Sequence, residues 1–102
     1  MKLNIDERFN ERRKGNPDVE KYPNYFVMQY WDKDFKNPEG ESQREVNKRM
    51  TEAFWEIVNE NKNKKIVIVS HGTSISFLLM NWCELIDVEQ NFRRFLKFNG
   101  KE

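Results

Sequence analysis

The chain has 102 residues, room for one modest domain, and its 18 basic against 17 acidic side chains leave a formal net charge of +1. So even a balance gives no long-range field of one sign, and nucleic acid and anionic membrane surfaces are disfavoured as partners. A mean hydropathy of −0.96 limits the core, but 14% aromatic residues and clustered Val, Ile and Leu exclude a disordered chain.

Residues 2–5 alternate polar and apolar and admit a short strand, and the opening Met1-Lys2-Leu3-Asn4-Ile5-Asp6 is no signal peptide. Residues 6–16 are a dense run of charge, too polar to be buried unless they line a site. Residues 17–40 hold all three prolines and the aromatics Tyr22, Tyr25, Phe26, Tyr30, Trp31 and Phe35. This is a loop-rich excursion with one short helix near residues 24–31, its aromatics either packed on the domain or forming a lid over a pocket.

Residues 42–61 carry the clearest helix. Val46, Met50, Ala53, Phe54, Ile57 and Val58 recur at three- and four-residue spacing and make one apolar stripe. Ser42 followed by Glu45 is a capping box. A polar turn follows, then Ile66, Val67, Ile68 and Val69, all β-branched with no polar alternation, which predicts a strand buried on both faces as in a parallel sheet. Ser70-His71-Gly72-Thr73-Ser74 leads into a second amphipathic helix over residues 74–86, with Ile75, Leu78, Leu79, Trp82 and Leu85 on one side. Helix, buried strand, short loop and helix in succession predict a single α/β domain with a parallel-type sheet flanked by helices. Cys83, the one cysteine, cannot close an internal disulfide and reads as a small core hydrophobe within that helix. Residues 92–98 fit a helix end or a strand. No apolar run approaches the ~18 residues of a membrane span, so a reducing, cytoplasmic setting is the default.

In an open α/β sheet, ligands bind beyond the carboxyl ends of the strands. The 70–74 turn is such a place: Gly72 lets backbone approach a ligand, and free N–H groups of the next helix favour an anion. His71, the sole histidine, sits there. Taken alone, it reads equally as a hydrogen-bonding structural residue or a functional one.

Residues 66–76, a hydrophobic run ending in Ser70-His71-Gly72, resemble the second histidine motif of the histidine phosphatase superfamily. Arg8-Phe9-Asn10-Glu11-Arg12-Arg13-Lys14-Gly15 is similar to the acid/base motif of its phosphoglycerate mutases. Pro38-Glu39-Gly40-Glu41-Ser42 with Arg49 resembles the family's Gly-Glu-Ser helix start, and residues 91–99 the approach to a late strand. The resemblance implies a phosphoglycerate-mutase-like fold and phosphoryl transfer from, or hydrolysis of, phosphomonoesters through a phosphohistidine. It assigns His71 as the second catalytic histidine, Glu11 as the acid, and Arg12, Gly72 and Thr73 as contacts to phosphate or a phosphorylated small molecule, with no cofactor or metal. Lys14 departs from the pattern, standing where mutases tend to place an aromatic residue. Ser42 reads as a helix cap and Arg49 as half of a structural ion pair.

The mechanism needs two histidines, and this sequence has one and no Arg-His-Gly. The chain therefore resembles a truncated, C-terminal portion of the family domain, inactive alone. The alternatives are a non-catalytic phosphate-binding module, or a structural remnant. Loss of a neighbouring strand would leave the 66–69 run with an open edge, and a homodimer that buries it is expected. A serine esterase is set aside because no Gly-x-Ser-x-Gly elbow occurs.

Overall fold

The computed structural model describes residues 3–88 and 93–98. Its spine is helix α2, Gln43–Glu60. Ser42 starts it as the spacing leads one to expect. The Glu45 N–H donates to the Ser42 hydroxyl at 3.2 Å, and the Ser42 N–H donates to the Glu45 carboxylate at 3.0 Å. The stripe then does its work: Val46, Met50 and Ala53 are fully buried, with Phe54 and Ile57 half-buried beside them. Val46 and Met50 each contribute about 1.5–3 kcal/mol on leaving water, and the single Ala53 methyl about 0.8 kcal/mol.

Helix α3, Gly72–Leu79, lies against α2 and supplies Phe77 and Leu78 to the same core. A short 3-10 turn, Glu7–Phe9, closes the third side by burying Phe9. The Asn47 side-chain amide donates to the Phe77 carbonyl at 2.7 Å and so fixes how α2 and α3 meet. In the aromatic excursion, helix α1 spans Tyr25–Trp31. The excursion's rings mostly serve packing: Tyr22 meets Phe35 edge-on at 5.2 Å, and Tyr30 meets Phe77 at the same distance. Gln29 of α1 is buried. Its amide donates to the Glu41 carbonyl at 2.7 Å, while the Gln43 amide donates back to the Gln29 carbonyl at 2.8 Å.

Strands β1, Cys83–Val88, and β2, Arg93–Phe98, form an antiparallel pair running from Cys83 opposite Phe98 to Val88 opposite Arg93. This two-stranded ladder is the sheet found among the described residues. The expected α/β fold with a mutase-like parallel sheet is therefore overturned: the structure is predominantly helical, and no parallel ladder is present among the described residues. Residues 66–69 form no strand, because no described segment offers them a ladder partner. Ile68 packs on the core, but Val67 and Val69 are 79% and 85% exposed. The helix expected over residues 74–86 ends at Leu79. The Asn81 and Trp82 N–H groups donate to Leu78 and Leu79 in tightened turns, and the Asn81 amide reaches across to the Thr51 hydroxyl at 2.9 Å. Cys83 thus opens a strand rather than sitting in a helix. The short strand admitted near residues 2–5 has no ladder over residues 3–5, and residue 2 lies outside the described residues.

Candidate functional site

The charged run of residues 6–16 is shaped from both ends. Asp6 caps the 3-10 turn, accepting the Arg8 N–H at 2.9 Å, and pairs with the Arg8 guanidinium at 2.7 Å. Burial of Phe9 then presents the Phe9 and Asn10 carbonyls to the start of α3. The Ser70 hydroxyl donates to the Phe9 carbonyl at 2.6 Å, and the fully buried Ser74 has its hydroxyl 3.0 Å from the Asn10 carbonyl.

Glu11 follows, and its carboxylate closes on the N-terminus of α3. It accepts the Ser74 N–H at 2.9 Å, the Thr73 N–H at 3.3 Å and its neighbour's Arg12 N–H at 2.9 Å, with the Ser74 hydroxyl at 2.9 Å. The N-cap residue of α3, His71, makes no side-chain capping bond, so the free N–H groups of this helix take their anion from 60 residues upstream. Burial pushes the Glu11 carboxyl pKa up, but the bonds from the Arg12 N–H and from Ser74 and Thr73 outweigh it and hold the group below its ordinary value. Glu11 is an ionised cap.

A second carboxylate holds the loop in place. The Glu41 side chain is 5% exposed and is gripped by Arg49, Nε to Oε2 at 2.8 Å and Nη2 to Oε1 at 3.0 Å. Glu41 Oε1 also accepts the Arg13 N–H at 2.8 Å. Its burial raises the pKa, and the Arg49 and Arg13 bonds more than offset that, so it too titrates below the usual range. Arg49 spends its remaining donors on the Arg8 carbonyl at 2.6 Å and the Glu11 carbonyl at 3.3 Å. The ion pair expected of Arg49 is thus the strut that aims Glu11 at α3. Around it lies an open depression of about 310 Å³ lined by Glu7, Arg8, Asn10, Glu11, Arg13, Glu41 and Arg49.

The remaining predicted residues stand apart from that depression. Arg12 keeps Nε and Nη1 buried without a hydrogen-bond acceptor among the described residues. His71 is exposed at the mouth of α3, and Gly72 faces open space, since a Cβ built on it would touch nothing within 4 Å. The structure brings Glu11 and Thr73 together and leaves His71, Gly72 and Thr73 off the depression's lining. Sequence reasoning missed the partnership of Ser74 with Glu11. Ser70, Thr73 and Ser74 all stand near this helix start as local cap candidates, so nothing in the sequence called for an acceptor from elsewhere. No group of three or more His, Cys, Asp or Glu side chains able to hold a metal ion occurs among the described residues. No helix among them is long and apolar enough to cross a membrane.

A family model described as the histidine phosphatase superfamily (branch 1) matches residues 1–99. No curated protein and no solved structure matches the chain. The match runs from residue 1 across nearly the whole chain, which overturns the reading of the chain as a truncated C-terminal portion of the family domain. The expectation of mutase-like phosphoryl transfer through a phosphohistidine falls for a different reason. It rested on a central sheet to carry the catalytic loops, and the described residues contain no such sheet.

Proposed function

The chain belongs to the histidine phosphatase superfamily (branch 1), and from that premise we propose that it binds phosphate or a phosphorylated small molecule beside the start of α3. Arg12, His71, Gly72 and Thr73 are the ligand-contacting residues in this reading. The observation that carries it is the Arg12 guanidinium, two of whose N–H groups are buried with no acceptor. A buried N–H left without an acceptor costs about 1–3 kcal/mol, and a phosphate oxygen is the partner the planar guanidinium fork fits. Gly72 leaves the approach to the turn open. His71 is the side chain there able to exchange a proton with a ligand, and Glu11 keeps Thr73 and Ser74 in place.

The test is thermal unfolding with inorganic phosphate titrated against chloride of equal ionic strength. A ligand at ten times its Kd adds about 1.4 kcal/mol, and Arg12→Gln removes that gain. A wild-type protein indifferent to millimolar phosphate refutes the reading. A reducing, cytoplasmic setting fits the free Cys83 and is checked by cell fractionation.

A homodimer is a second reading, favoured by Val67 and Val69, which stand 79% and 85% exposed on a segment with no ladder partner among the described residues. Exposed apolar side chains of this kind are buried by association with another chain. Light scattering on a size-exclusion column gives the mass, and a stable monomer at micromolar concentration refutes it.

A further inference from the structure

We infer that Glu41 and Arg49 are positioning residues for the phosphate site: together they fix the backbone on both sides of Arg12 and so set where its guanidinium meets the ligand. The inference rests on the phosphate-binding reading and adds what holds that site in shape. Residues 11–13 belong to no helix or strand, so their backbone groups must find partners elsewhere. The Glu11 carbonyl accepts from Arg49 Nη2 at 3.3 Å, and the Arg13 N–H donates to Glu41 Oε1 at 2.8 Å. Arg49 Nη2 and Glu41 Oε1 are themselves 3.0 Å apart. The peptide groups before and after Arg12 thus hang on two bonded atoms.

The anchor is itself anchored. The Glu41 N–H donates to the Arg13 carbonyl at 2.8 Å, its carbonyl accepts the Gln29 amide at 2.7 Å, and the next residue is Ser42, the N-cap of α2. The Arg12 N–H goes to the Glu11 carboxylate at 2.9 Å, which the start of α3 holds. A guanidinium lies about 6–7 Å from its Cα, so a backbone error of about 10° there moves it by about 1 Å. A displacement of that size leaves a site present but too loose.

The chemistry of the pair suits orientation better than stability. The Glu41 side chain is 5% exposed and that of Arg49 20%, and a buried ion pair adds little over apolar side chains of similar volume. Apolar side chains could not donate to the Arg8 and Glu11 carbonyls and accept from the Arg13 N–H at once.

Titration with inorganic phosphate tests the role, in variants checked for native circular dichroism. Binding is followed by the resonance of the buried Arg12 Nε–H, identified by its loss in Arg12→Gln. Arg49→Lys keeps the charge beside Glu41 but not the planar fork that reaches two carbonyls and a carboxylate, and should raise the phosphate Kd about tenfold. Glu41→Gln gives the sharper sign. Deleting a negative charge close to an anion site would tighten binding by electrostatics alone, whereas a loosened grip on residues 11–13 should weaken it. Ile57→Ala, eight residues along α2 from Arg49, lowers stability from the core side and should leave the Kd unchanged. Wild-type protein that binds phosphate while Arg49→Lys or Glu41→Gln binds it as tightly overturns the positioning role and leaves the phosphate reading standing. So does Ile57→Ala binding as weakly as Arg49→Lys, since affinity would then follow stability alone. A wild type indifferent to phosphate removes both.

Discussion

Replacing Glu11 tests whether its carboxylate acts as the cap of α3. Glu11→Ala removes the acceptor serving the Thr73, Ser74 and Arg12 N–H groups. Loss of a helix cap costs about 1 kcal/mol, and loss of a negative charge at a helix N-terminus adds about 0.3–1 kcal/mol. The Arg12 N–H contributes a further charge-assisted bond, discounted for the residue's partial exposure. The Ser74 hydroxyl retains the Asn10 carbonyl at 3.0 Å and adds little. The expected total is about 2–3 kcal/mol, a large share of the ~5–15 kcal/mol typical of a domain. With a urea m-value of about 1–1.5 kcal/mol/M, the midpoint falls by roughly 2 M, followed by tryptophan fluorescence. Glu11→Gln should lose about half as much, keeping the shape but not the charge.

The pH dependence has a definite sign. The folded pKa of Glu11 lies below its ordinary 4.5, so its contribution is complete above that value and disappears as pH falls through the folded value. Wild-type and Glu11→Gln stabilities should therefore converge on acidification. A loss under ~0.5 kcal/mol in Glu11→Ala, within the range of an ordinary surface change, would refute the capping role. So would a wild-type minus Gln difference that does not shrink in acid.

Gly15→Ala should cost about 2 kcal/mol or more in urea melts: φ is +70°, and the new Cβ would lie 2.4 Å from the Pro38 carbonyl oxygen. Arg49→Leu leaves the Glu41 carboxylate, 5% exposed, without its guanidinium. A loss of about 3 kcal/mol is expected, and Glu41→Leu added to it should recover part. The pKa of Glu41 is also depressed, so the penalty of Arg49→Leu should be full near neutrality and shrink as pH falls below the usual carboxylate range. Phe77→Ala, at a fully buried position, should cost about 3–5 kcal/mol by calorimetry.

What the sequence revealed and what it hid divide along the range of the interactions. Helix α2 was legible because both its signals are local: the apolar stripe repeats within each turn, and Ser42 and Glu45 cap each other three residues apart. Residues 66–69 misled because an apolar β-branched run specifies extended backbone but not the neighbour that makes it a strand. The end of α3 hung on Asn81 reaching Thr51, 30 positions away, which no window along the chain reveals. At the site, the motifs singled out Glu11, the 71–73 turn and Arg49, and the structure joins Glu11 to Thr73 and Arg49 to Glu41. The destination of the Glu11 carboxylate was invisible, because Ser74 is 63 residues distant.

Gly15 lies against Gly40, whose nitrogen would sit 2.5 Å from an added Cβ, and this contact bears on how the gene can be edited. The Asn16 N–H donates to the Pro38 carbonyl at 2.9 Å, the Glu41 N–H to the Arg13 carbonyl at 2.8 Å and the Asn37 amide to the Lys14 carbonyl at 3.0 Å. These bonds clasp the two ends of the aromatic excursion, so length added between Asn16 and α1 need not alter the spacing of the clasped residues. Lengthening a closed loop costs only about 0.6 kcal/mol per doubling. The exposed Val19 and Glu20 should then accept a spliced epitope or a fluorophore tag, while the same insert between Gly40 and Ser42 would split the clasp and the cap of α2 at once.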